Sequence, residues 1–315
     1  MSQATDHIGG AEKILKENPT DLGYTNLSDW LQFPPAEHPD WEFDGIVAGV
    51  GVDSQENVYI SHRGNSAPRL TVWKSDGSFL RVFPGPKTTR PHLVNIDGDD
   101  NIWWPDDGGH CIYKMDQEGH ILMTMGKPGG KGFGNYRYNR PTDIAWDKQG
   151  NLYVTDGDNS EPESPNRRVL KYDPNGTFIK TWGSKGQGPG QFDYPHSIFI
   201  DSSETVFVCD RNNWRIQVFD TEGNQEANWR HIGRVYQMCE DKNGDYFVSD
   251  GKTGRITKFK RDGTVIGFFE TPDKEPGTAG SLNNAHSIAL CANGDVITGL
   301  YQGRVERWKV PERED

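Results

Sequence analysis

Six times along this 315-residue chain, an apolar run stops at a polar turn and a second apolar run answers it. The copies read "GVGVDSQENVYISH", "LVNIDGDDNIWWPD", "DIAWDKQGNLYVTD", "SIFIDSSETVFVCD", "QMCEDKNGDYFVSD" and "SIALCANGDVITGL". Their turn anchors are Asp53, Asp97, Asp147, Asp201, Asp241 and Cys291, spaced 44, 50, 54, 40 and 50 residues apart. After each of the first five comes another pair of short runs around a glycine: Gly77, Gly119, Gly176, Gly223 and Gly263. Asp-Gly and Asn-Gly supply the positive backbone angles that a tight hairpin needs. A repeat of this period cannot bury its apolar faces alone, so neighbouring copies must stack. Four short antiparallel strands per copy make one propeller blade, and the expected fold is all-β, a six-bladed β-propeller. The sixth copy ends after its third strand, "GRVERWKV". An N-terminal strand in "LSDWLQF" is expected to complete that last blade and close the ring, which hides the sheet edges. Residues 26–315 then form a single propeller domain, and residues 1–25 a polar lead-in with a helical pattern.

Composition agrees and narrows the function. Hydrophobic residues are 33%, with 37 Gly, 19 Pro and 10 Trp, the balance of a turn-rich β protein. A net charge of −12 argues against nucleic acid and anionic membrane surfaces as partners. No apolar run has the length of a membrane helix, and "MSQATDHIGGAEKILKENP" has no apolar signal core, so the expected location is cytoplasmic. Cys111, Cys209, Cys239 and Cys291 lie singly in strand-like runs without zinc-ligand spacing, which reads as buried reduced thiols.

The repeat allows one position to be compared across blades. Five residues before each anchor stand Ala48, His92, Thr142, His196, Tyr236 and His286. Histidine fills blades two, four and six only. Alternate blades of a six-bladed ring are about 120° apart, and the innermost strands line the central channel. Three imidazoles converging with three-fold symmetry suit zinc with an open position; iron or copper also accept a three-His face. With 9 His in the chain, three chosen positions would all be His roughly once in 40,000 draws from the plain composition.

The loop after the second strand returns to the same face. Nine residues past each anchor it reads His62, Asp106, Asp156, Asp210, Asp250 and Leu300. Carboxylates repeated at a loop closure read as structural acceptors of backbone N–H groups. The next position reads Arg63, Asp107, Gly157, Arg211, Gly251 and Tyr301. Variation there is what a functional rim shows, and Arg63 and Arg211 suit a carboxylate or developing negative charge, or else rim ion pairs.

These segments resemble NHL-type six-bladed propellers and, more closely, the catalytic core of peptidyl-α-hydroxyglycine α-amidating lyase, over about residues 45 to 308. The likeness is carried by "RPHLVNID", "YPHSIFID" and "NAHSIALC", and by "SHRGNS", "CDRNNWRIQ", "RPTDIAW" and "GPGQFDYPHS". It implies zinc on His92, His196 and His286, with Arg63 and Arg211 binding substrate and stabilising charge while a carbinolamide is cleaved to an amide and glyoxylate. Two departures stand out. The family's catalytic tyrosine follows an Asp-Gly in the third blade, where "TDGDNSEPESPNRR" has Asp158. The family's calcium carboxylate follows the last zinc histidine, where this chain has Ser287, so calcium is not expected. Proton transfer then falls to Tyr301, Tyr236 or Asp158.

The expected function is a zinc-dependent lyase or hydrolase for a small polar or carboxylate-bearing molecule. The long segments "GKPGGKGFGNYRYNR" and "TPDKEPGTAGSLNNA" are expected to cover the mouth against a peptide chain. An iron-dependent three-His oxygenase and a non-enzymatic binding propeller are the alternatives; metal analysis separates the first, and converging histidines speak against the second.

Overall fold

The computed structural model describes residues 20–27, 29–158, 163–252, 254–270 and 285–312. They form six four-stranded antiparallel sheets, the blades of a six-bladed β-propeller. The fourth blade is typical: Pro195–Ile200, Val206–Asp210, Arg215–Phe219 and Gln225–Trp229 pair in chain order. Its second and third strands are buried throughout and rich in Val, Ile and Phe, as strands covered on both faces must be. Its outer strand alternates between half-buried and exposed residues, because only one face meets a neighbour. The hairpin glycines take positive φ as the repeat predicts: +83° at Gly77 and +82° at Gly176.

The chain divides into two compact units, one of Pro84–Met238 and one of the segments flanking it. In the first, apolar cores fill the spaces between successive blades: Trp103, Ile112 and Met125 pack with Ile144, Val154 and Leu170, and Val169 with Ile198 and Val208. In the second, Val47, Ile60 and Trp73 pack with Ile297 and Val305. Each such large side chain contributes about 1.5–3 kcal/mol by leaving water.

The last blade is completed from the N-terminus, but by different residues than expected. Thr25–Asn26 pairs with Val305–Lys309, whereas "LSDWLQF" forms no strand among its described residues. Trp30, Leu31 and Phe33 instead pack on the first-blade core, and the Trp30 indole N–H donates to the Ser75 carbonyl at 2.8 Å. The apolar spacing that resembles an outer strand is a strap across the first blade. Residues 1–19 of the lead-in lie outside the described residues.

The repeated loop carboxylates do close the blades. Asp106 accepts from the N–H groups of Thr89 and Arg90 at 2.8 and 2.7 Å, Asp156 from Asn139 at 2.8 Å, and Asp210 from Asp193 at 3.0 Å. In the first blade the buried His62 does the same work: its Nε2 faces the N–H groups of Gly45 and Gly64 at 3.3 and 3.2 Å. No helix among the described residues is long and apolar enough to cross a membrane.

Candidate functional site

Strand register explains why one repeat position projects its side chain differently from its neighbours. Pro195 pairs with Asp210 but Ser197 pairs with Cys209, so His196 is the extra residue of a β-bulge. Ala48, Thr142 and His286 sit in the same bulge, between Val47 and Gly49, Pro141 and Asp143, and Ala285 and Ser287. A bulge leaves one residue out of the ladder and re-aims it. The second blade keeps the same one-residue shift around His92: Pro91 bridges Asp106 and Asn95 pairs with Trp103. Pro105 lies inside the second strand, Ile102–Asp106, and has no N–H to give the ladder; the first strand shrinks to Asn95–Ile96. His92 is held there by its own N–H, donated to the Pro105 carbonyl at 2.8 Å.

Within the Pro84–Met238 unit, His92 and His196 come together as the repeat predicts. Both are fully buried, and their ring centroids are 4.8 Å apart. His196 Nδ1 lies 2.8 Å from the carbonyl oxygen of Tyr236. A carbonyl only accepts, so Nδ1 carries the proton and Nε2 the lone pair. In the other unit His286 repeats the arrangement, its Nδ1 2.8 Å from the carbonyl of Ala48. Each acceptor is the residue at the bulge-equivalent position of the next blade. This is how metal-binding imidazoles are fixed in tautomer and orientation.

The other candidates take definite places. Tyr236 is buried with its ring 4.9 Å from that of His196. Tyr301 stands 5.0 Å from His286, ring to ring. Arg211 opens a single 3-10 turn, Arg211–Asn213, directly after the Asp210 that closes its blade. Arg63 follows His62, with its N–H donating to the Ile46 carbonyl at 3.0 Å and its side chain half-buried.

Asp158 is buried in a charged chain that sequence reasoning misses. It accepts from the Tyr194 hydroxyl, and from Arg90 at 3.3 Å. Arg90 also meets Asp107 at 2.7 Å, and Asp107 meets Arg140 at 3.4 Å. Burial opposes the charge on Arg90, but Asp107, Asp158 and Tyr194 together raise its pKa, so it stays a cation. Donor atoms of His92, Asp107 and Asp158 lie within 4.8 Å of one another. A guanidinium already bridges the two carboxylates, which makes this cluster an ion-pair network and a poor cation site.

Tyr194, Arg90 and Arg140 share a signal in the repeat. Two residues before the bulge position stand Ile46, Arg90, Arg140, Tyr194 and Arg234 in blades one to five. Tyr194 is buried, with its ring 5.1 Å from His196. The 126–140 segment is fastened to its own third blade: Asn166 Nδ2 donates to the Gly132 carbonyl at 3.0 Å, and Arg168 donates to the Gly134 and Arg137 carbonyls at 3.0 Å each. Most of "TPDKEPGTAGSLNNA", residues 271–284, lies outside the described residues.

Known proteins match this chain in fold and in part of its length. Residues 138–265 match a family model described as a 6-bladed beta-propeller. NHL repeat-containing protein 3 of Homo sapiens is 33% identical over 226 residues, which is 69% of this chain and 62% of that protein. A probable peptidyl-alpha-hydroxyglycine alpha-amidating lyase of Caenorhabditis elegans is 28% identical over 65% of this chain and 59% of its own. The matches thus span less than two thirds of each of these relatives. A gluconolactonase structure from Xanthomonas campestris superposes with a TM-score of 0.63 at 18% identity, covering 86% of this chain and 88% of that one, a likeness of fold.

Proposed function

We propose that this propeller is a zinc-dependent lyase or hydrolase acting on a small carboxylate-bearing substrate, with C–N cleavage of the carbinolamide type as its nearest chemistry. His92, His196 and His286 would hold the metal. The observation that carries the reading is a bond made twice: His196 and His286 each donate Nδ1–H to a main-chain carbonyl at 2.8 Å, which puts a lone pair on each Nε2. Neutral imidazoles so arranged fit zinc by donor type. When bound, zinc supplies Lewis acidity toward a substrate oxygen or lowers the pKa of a coordinated water.

The protein's own residues supply the rest. Arg63 and Arg211 stand at one repeat position, each directly after the residue that closes its blade. They would receive the substrate carboxylate or an oxyanion through charge-assisted hydrogen bonds. Tyr236 beside His196, or Tyr301 beside His286, would move the proton. Asp158 is already bonded to Tyr194 and Arg90, which suits it to holding its neighbours in place. Similarity to an amidating lyase at 28% identity supports this reaction class.

The test is a pair of conservative substitutions. Arg63→Lys and Arg211→Lys should each keep zinc and lose roughly 10- to 150-fold in kcat/KM on a carboxylate-bearing carbinolamide, since a hydrogen bond to a charged group is worth about 1.5–3 kcal/mol and lysine cannot copy a bidentate fork. Full activity in both variants would reduce these arginines to rim ion pairs and remove the substrate assignment.

A further inference from the structure

Arg211 is held from the side by two aromatic rings. Its guanidinium carbon lies 4.3 Å from the centroid of the Tyr236 ring and 4.9 Å from that of Tyr194. Its backbone N–H also donates to the Tyr194 carbonyl at 2.9 Å. Both tyrosines are 1% exposed, so neither ring is a mobile surface group. Tyr194 is pinned at its far end, where its hydroxyl donates to Asp158. Asp158 is balanced by Arg90, which bridges it to Asp107.

The geometry points to an aromatic clamp, in which Tyr194 and Tyr236 are positioning residues that fix the Arg211 guanidinium and Asp158 acts through Tyr194. A ring attracts a guanidinium through its quadrupole without consuming an N–H donor or cancelling the charge. The Asp158 carboxylate that tethers Tyr194 is itself met by Arg90 at 3.3 Å. A guanidinium held against ring faces presents its N–H fork in its own plane, and a carboxylate is the anion that meets such a fork in two parallel bonds. The clamp therefore deepens the proposed function and rests on it: Arg211 is set to receive a planar carboxylate, in an orientation fixed before the ligand arrives. Preorganisation of this kind appears in affinity, because the side chain's freedom is already spent.

The experiment uses the full-length, zinc-loaded protein with isotopically labelled arginine, and glyoxylate as the probe. Arg211 is assigned by its loss in Arg211→Lys. Its side-chain signals should be shifted upfield by the two rings, and should return toward ordinary positions in Tyr194→Leu and Tyr236→Leu. Glyoxylate should bind each leucine variant roughly 3- to 30-fold more weakly, with zinc content unchanged. Tyr236→Phe keeps the ring and should keep both shift and affinity. Tyr194→Phe keeps the ring but loses the Asp158 tether and should fall between. An unshifted Arg211 in the wild type, or leucine variants with unaltered shifts and affinity, would overturn the clamp. If Arg211→Lys binds glyoxylate as the wild type does, the carboxylate reading fails while the ring shift still reports on the clamp. If that variant loses binding and the leucine variants do not, the clamp fails and the reading stands.

Discussion

His62 shows how one residue can keep a repeat's geometry while changing its chemistry. Asp106, Asp156 and Asp210 close blades two to four, and the first blade closes with this histidine. As an acceptor from Gly45 and Gly64, Nε2 must be unprotonated. Burial is the main reason its pKa is pushed down from 6.5 to about 4, against the pull of Asp44 at 3.7 Å. A histidine with a depressed folded pKa contributes stability above its unfolded value, and that stability is lost as pH falls from about 6.5 toward 4. The shift corresponds to about 3 kcal/mol. In urea titrations at pH 7 and pH 4, the wild type should lose about 2–3 kcal/mol more than His62→Gln, whose amide oxygen accepts at either pH. Equal losses would place the acid sensitivity elsewhere. At this scale the repeat offsets of the three histidines, both arginines and the two tyrosines can be read from the sequence, because each occupies a fixed place in a countable repeat. Tyr194, Arg90 and Arg140 also share an offset, but the offset alone carries no sign of what they touch. Their importance depends on which rings and charges a bulged strand brings together, and that is a property of the folded backbone.

The elements themselves were legible where periodicity was long enough to carry a signal. Strands of four to six residues around Asn-Gly or Asp-Gly turns declare themselves; Thr25–Asn26, two residues long, has no period to read. Its apolar neighbours Trp30, Leu31 and Phe33 drew the strand assignment to themselves. A comparison of two turn glycines tests the observed strap. Gly77 and Gly176 have nearly the same φ, +83° and +82°. A Cβ on Gly77 would stand 1.8 Å from the main-chain oxygen of Trp30, whereas one on Gly176 meets nothing nearer than Met123 Sδ at 3.7 Å. Gly176→Ala should therefore destabilise by the left-handed backbone cost alone, about 1–2 kcal/mol. Gly77→Ala should exceed it by more than about 1 kcal/mol, because the strap must also lift from the first blade. Chemical denaturation of both variants decides this, and equal effects would mean that the strap does not bear on that turn.

For the whole molecule, the period of the sequence dictated the architecture. Six copies, each short of a core, bury their faces only by packing on one another, and the described cores lie between neighbouring blades. The same period underlies the central claim, since an alternate-blade pattern of histidine has chemical meaning only in a six-fold ring. The most direct measurement is zinc content combined with zinc-edge X-ray absorption on the purified protein, the wild type beside His92→Ala, His196→Ala and His286→Ala. About one zinc per chain with three imidazole nitrogens is the predicted result, together with loss of tight zinc from each variant while its circular dichroism stays that of the folded propeller. Absence of stoichiometric metal even after zinc is offered, or zinc retained by the histidine variants, would contradict a three-histidine zinc site.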